Sequence, residues 1–242
     1  MFAIFSKEFS SFMHSLIAVI VMSVFLIGVG LPVWVFPETA VPNQGYADLA
    51  VMFNLAPYVL MFLVPAITMR SFAEEKRMGT LEFLFTKPIT EWQLVLGKYL
   101  ATLALTVVAI VPTVVFYFSV SALASPAGNI DTPGVIGSYF GLVLLAGVFC
   151  AVGVLTSAVS PNQVVAFLIS AMACFLLYYG FDSLAQLDMF GSGSLFIKQL
   201  GLLYHYDALG KGLIDSRDVL YLGSVAVGLL FITKTYITSR QW

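Results

Sequence analysis

Six apolar runs, each near the length that carries a helix across hydrocarbon, divide this chain. A bilayer core about 30 Å thick takes about 20 residues of α-helix. The runs are Leu16 to Phe36, Asp48 to Met69, Leu94 to Leu123, Val135 to Ser157, Val164 to Phe181 and Asp218 to Thr238. Backbone inside hydrocarbon must satisfy its own hydrogen bonds, which leaves helices for runs of this length. Composition closes the soluble alternative. The chain is 60% hydrophobic and 10% charged, against about 25% charged in a soluble domain, and its mean hydropathy is +0.97. The expected fold is therefore an all-α integral membrane protein, one transmembrane unit over residues 1–242. Each hydrophilic segment is too short to build a core of its own. No basic stripe lies outside the membrane-flanking segments, so nucleic acid is not an expected partner. Cys150 and Cys174 fall inside apolar runs and read as small buried residues rather than metal ligands.

The connections carry more information than the runs. Residues 1–14 repeat Phe2, Phe5, Phe9 and Phe12 at helical spacing, with Lys7 and Glu8 on other faces. This predicts an amphipathic helix lying in the membrane interface. The alternative is that it simply extends the first span. Residues 37–47 and 124–134 are turn-rich and hold no Lys or Arg. Residues 182–216 contain five glycines and no uninterrupted apolar run, which predicts one or two short re-entrant helices. Six spans place both termini on one side, together with Lys7, Arg70, Lys76, Arg77, Lys87, Lys98, Lys234 and Arg240. The other side keeps only Lys198, Lys211 and Arg217 of the 11 cations. By the positive-inside rule the termini are expected to be cytoplasmic.

One stretch interrupts the hydrophobicity sharply. Between Met69 and Lys98 lie Arg70, Lys76, Arg77, Lys87 and Lys98, with Glu74, Glu75, Glu82 and Glu91. Glu74 to Arg77 form a polar knuckle, Gly79 and Thr80 a break, and Leu81, Phe83, Leu84 and Phe85 an apolar patch. A short helix with a charged tip and an apolar flank suits a groove on a soluble partner. The alternative is that these cations serve orientation alone. Within the fourth span, Gly137 and Gly141, then Gly147 and Ala151, set small residues one turn apart, a pattern that lets helices approach closely. Asp48, Asp182 and Asp218 sit at span ends, where capping or solvation accounts for them. His14 and His205 read as hydrogen-bonding or packing residues. The sequence holds no phosphate-binding loop and no hydrolase or metalloprotease motif, so the chain is not expected to be an enzyme.

The run Arg70-Ser-Phe-Ala-Glu-Glu-Lys-Arg-Met-Gly-Thr-Leu-Glu-Phe-Leu-Phe-Thr-Lys-Pro88 resembles the signature of ABC-2 type permeases. The segment His205 to Tyr221 resembles the approach to the last span in that family. Residues 67–76, 97–100 and 137–142 are similar to the GldF-type permeases of gliding-motility systems. The resemblance implies a permease subunit in a bacterial inner membrane, paired with a cytoplasmic ABC ATPase (GldA-like) and a second membrane subunit (GldG-like). ATP and magnesium would be bound by the partner ATPase, with no cofactor in this chain. Residues 70–93 would form the cytoplasmic coupling segment that docks on the ATPase through Glu74, Glu75, Lys76, Arg77, Gly79, Thr80, Leu81 and Glu82. Residues 182–216 would form the re-entrant segment on the outer face. The resemblance implies coupling of ATP hydrolysis by the separate ATPase to transport or force transduction in a gliding-motility-associated system. A scaffold that anchors a motility or secretion complex is the alternative; an intramembrane enzyme or proton channel would need acids at mid-depth, which the runs lack.

Overall fold

The computed structural model describes residues 1–80, 89–126, 128–186, 194–212 and 214–239. Every regular element among them is helical. Helix α1 (Phe2–Met13) is short and amphipathic, and α2 (Leu16–Trp34) follows it. The two meet at 68°, so α1 is a separate helix and not the straight start of the first span. A single short turn, α3 (Val41–Gln44), precedes α4 (Ala50–Thr68) and the small α5 (Ala73–Arg77). Then come α6 (Glu91–Ile110) and α7 (Val114–Leu123), which share one rod. The longest helix, α8 (Thr132–Val159), is followed by α9 (Gln163–Phe175) and α10 (Phe181–Ala185). Two short helices, α11 (Ser194–Gln199) and α12 (Leu202–Gly210), lead into α13 (Ser216–Ser239). Five rods are long and apolar enough to cross a membrane, and the bent α1–α2 pair supplies the sixth.

Local chemistry moves several boundaries outward from the apolar runs. Thr90 and Gln93 form a reciprocal capping box, so the third rod starts at Glu91 rather than Leu94. Asp131 accepts a hydrogen bond from the Gly134 N–H, which starts α8 at Thr132. Pro112 lies in a single 3-10 turn, Val111–Thr113, between α6 and α7; the ring removes a backbone donor there without ending the rod. The fifth rod departs further from expectation. A π-helical turn, Leu176–Gly180, joins α9 to α10 and carries the helix to Ala185. Asp182 to Ala185, expected in the re-entrant segment, therefore belong to the fifth rod.

Helix α8 is the centre of the bundle. It packs against α4, α6, α9, α12 and α13, and Leu142, Leu145, Phe149 and Val154 are fully enclosed. No hydrophobic effect draws helices together in lipid, so close contact between backbones must do it. A Cβ on Gly137 would lie 2.2 Å from the Leu209 carbonyl oxygen of α12, and one on Gly153 would lie 1.9 Å from Thr68 Oγ1 of α4. Gly141 faces Leu209 and Tyr206, and Gly147 faces the Tyr99 hydroxyl. Ala151 is fully buried. Leu16, Val19, Ile20 and Ile27 of α2 face outward, as do Val164, Leu168 and Met172 of α9. Such exposed aliphatic faces suit acyl chains.

Candidate functional site: the ionic end of the bundle

The short helix α5 has no capping side chain of its own. Its cap comes from a distant helix. Ser157 Oγ, near the end of α8, accepts hydrogen bonds from the N–H groups of Phe72 (2.9 Å) and Ala73 (3.1 Å) and donates one to Met69 O (3.0 Å). One hydroxyl thus satisfies two otherwise orphaned donors and holds the turn between α4 and α5. Lys76 Nζ donates to the Ala158 carbonyl and lies over the Tyr236 ring of α13, 5.3 Å from its centroid. The far end of α5 closes with Gly79 at φ +69°. Thr80 N–H donates to Glu75 O and Gly79 N–H to Lys76 O. This is a Schellman closure, and the left-handed position favours glycine.

Beneath α5 lies a buried cluster of charge. Lys98 is 2% exposed and stands two turns inside α6. Its ammonium reaches Glu75 Oε1 at 2.8 Å and Glu8 Oε1 of α1 at 3.2 Å. It also lies 5.1 Å from the centroid of the Phe72 ring. Gly97 permits the approach of α1, since a Cβ there would come 2.9 Å from Ile4. Glu75 Oε2 is buried and has no hydrogen-bond partner among the described residues. Two carboxylates therefore share one ammonium, and α1, α5 and α6 meet at that point. Charges this deep persist only when paired.

The expected docking residues divide by direction. Glu75 and Lys76 face inward and pair within the chain, while Glu74 is half-buried. Arg77, Met78, Gly79 and Thr80 are exposed and form the tip. Leu81 and Glu82 lie outside the described residues, as do Phe83, Leu84 and Phe85. Sequence reasoning missed Lys98, Glu8 and Ser157. It treated Lys98 as a flanking cation, although four apolar or small residues precede it in the rod. That placement, and an acid at the same depth on the amphipathic helix, were the available signals.

The opposite end of the bundle is polar in a different way. His205 Nε2 lies 2.8 Å from Gln199 O, which can only accept, so this nitrogen carries a proton. His205 Nδ1 lies 2.6 Å from Asp218 Oδ1, and the ring stacks on Tyr221 at 4.0 Å. Asp182 pairs with Lys198 at 3.2 Å and accepts from Gln186 at 2.7 Å. Asp182, through its ion pair with Lys198, and Asp218, through its hydrogen bond with His205, thus fasten α11 and α12 to the rods and are not span-end caps. Asp48 precedes the N-cap Leu49 of α4 and accepts from the Ala50 N–H at 3.0 Å, a local turn bond. Both cysteines are buried and free, and no cluster of metal-ligating side chains occurs among the described residues.

Comparison with curated proteins returns no match. A family model does match: the ABC-2 family transporter protein model covers residues 2–206, from α1 into α12. A multi-pass helical bundle with a short helix pinned between its second and third rods, matched over most of its length, is a membrane permease subunit, and the chain belongs to the ABC-2 family of transporters.

Proposed function

We propose that this permease subunit couples ATP hydrolysis by a separate cytoplasmic ABC ATPase to movement of its rods, through the exposed tip Arg77–Thr80. The observation that carries this reading is the fastening of α5. Its cap is Ser157 of α8, its charge partner is Lys98 of α6, and its lysine reaches Ala158 and Tyr236. A displacement imposed on the tip passes to the central helix and to α1 without crossing a flexible linker. Glu75 acts in this account as an internal strut, and the outward groups at Arg77, Gly79 and Thr80 meet the ATPase. The cation count supports cytoplasmic termini in a bacterial inner membrane. The similarity to GldF-type permeases supports a gliding-motility system with GldA-like and GldG-like partners, in which the subunit transmits force or transports a substrate.

The test uses Gly79→Trp, which crowds the tip where a Cβ meets no atom within 4 Å, at a φ that strains any side chain. Co-expressed with its ATPase and purified in mild detergent, the variant is expected to insert and fold but lose the ATPase. Retention of the ATPase at the parental ratio would contradict docking at this tip.

A further inference from the structure

At the end of the bundle remote from α5, a cavity of about 440 Å³ opens between the first turns of α4, the start of α8 and the end of α12. Its volume falls in the range of small-molecule sites. Four polar side chains on its wall, Asn54, Ser138, Asp207 and Lys211, have no side-chain hydrogen bond or ion pair among the described residues. Ser138 is the telling one. It is 7% exposed, whereas the buried threonine hydroxyls of the rods bond back along the helix, as Thr68 does to Val64 O, Thr106 to Thr102 O and Thr233 to Leu229 O. Ser138 makes no such bond and lines the cavity instead. Asn54 is exposed in the first turns of α4 and presents its carboxamide at the cavity wall.

Charge narrows the ligand. Asp48, Asp131 and Asp207 share the wall with Lys211, a net charge of −2 from three carboxylates and one ammonium. Asp48 and Asp131 each give one oxygen to a backbone N–H and keep the other. Burial pushes the Asp207 carboxyl above the usual carboxylate range, and Lys198 and Lys211 only partly oppose it. No three of the described acids come together as a metal site, so the carboxylates suit an organic cation better than a bare ion. Asp207 and Lys211 stand one helical turn apart, about 5–6 Å at their Cβ atoms, yet they form no ion pair. Opposite charges thus stand side by side on one wall of the cavity, an arrangement that suits a zwitterion.

We propose that this cavity binds a phosphoethanolamine-type zwitterion, with its ammonium against the carboxylates and the Ser138 hydroxyl and its phosphate against Lys211. The group arrives on a lipid or as a free metabolite, and the test separates the two. The full chain in detergent is incubated with phosphatidylethanolamine or phosphatidylglycerol at equal mole fraction, and bound lipid is counted by native mass spectrometry. Free phosphoethanolamine is then titrated against the same samples. Preferential retention of phosphatidylethanolamine, reduced at least about tenfold in Asp207→Asn, is expected for loss of one charge-assisted hydrogen bond. Lys211→Gln is expected to weaken it as well, while Lys7→Gln, exposed on α1 and outside the cavity wall, leaves it unchanged. Saturable binding of free phosphoethanolamine without lipid preference would assign the site to a soluble zwitterion. Equal retention of both lipids in parent and variants, with no saturable binding of the free compound, would overturn the proposal. Asp207 makes no side-chain hydrogen bond or ion pair among the described residues, so its variant is expected to keep the parental thermal midpoint, which checks the fold.

Discussion

The two ends of this bundle handle polar groups in opposite ways. Around α5 the charges are driven inward and paired: one ammonium serves two carboxylates from different helices, and one serine hydroxyl makes three hydrogen bonds. Around α12 the His205–Asp218 hydrogen bond and the Lys198–Asp182 ion pair fasten the short helices, but the cavity beside them keeps its amide, hydroxyl and ammonium, and the Asp207 carboxylate, unpaired among the described residues. A region that transmits displacement needs saturated, short contacts, because any slack absorbs the motion. A region that receives a ligand needs groups left open to it. The contrast is between a joint and a receptacle.

The largest effect expected is from breaking the joint. Lys98→Met leaves Glu8 and Glu75 buried without their cation, a loss of about 3–5 kcal/mol. It should appear as a collapse of monodisperse protein in size-exclusion chromatography, with partial recovery when Glu8→Gln and Glu75→Gln are added. If Lys98→Met alone were as stable as the parent, the inward pairing would have no structural weight. Next comes the seam beneath the receptacle. Gly137→Ala drives a Cβ against the Leu209 carbonyl, a backbone atom that cannot rotate away, at a cost of about 1–3 kcal/mol. The thermal midpoint in detergent reads this directly, and Gly223→Ala, where a Cβ meets nothing within 4 Å, serves as the silent control. Similar in size is Ser157→Ala, which strands the Phe72 and Ala73 donors, at about 1–3 kcal/mol once the turn relaxes around them. Since α5 keeps Lys76 and Glu75 as anchors, the variant is expected to fold, bind ATPase and show reduced ATP-driven activity. Undiminished activity would mean that the α8 contact carries no load.

Much of the fold was legible because membrane insertion is a one-dimensional problem of apolar length. The six runs and the broken segment before the last rod each appear as helices, with ends shifted by caps such as Thr90–Gln93 and Asp131. The site was legible only in part. The charged knuckle does form a short helix, α5, but a linear sequence does not say which way a five-residue helix is turned. Glu75 and Lys76 look as solvent-ready as Arg77 until Lys98, Ala158 and Tyr236 come together from remote positions. Asp182, His205 and Asp218 were seen singly for the same reason: their pairing depends on how α11 and α12 fold back. Ser138 carried no signal at all, since a serine in an apolar helix ordinarily bonds to its own backbone.

The most direct test of the central claim is photocrosslinking from the tip in the assembled complex. A photoreactive side chain at Thr80 and another at Tyr46, near the opposite end, are compared in the complex purified with its ATPase. Crosslinks to the ATPase from position 80 alone are predicted. Crosslinks from position 46 and not from position 80, or none from either in an intact complex, would contradict the coupling role assigned to α5.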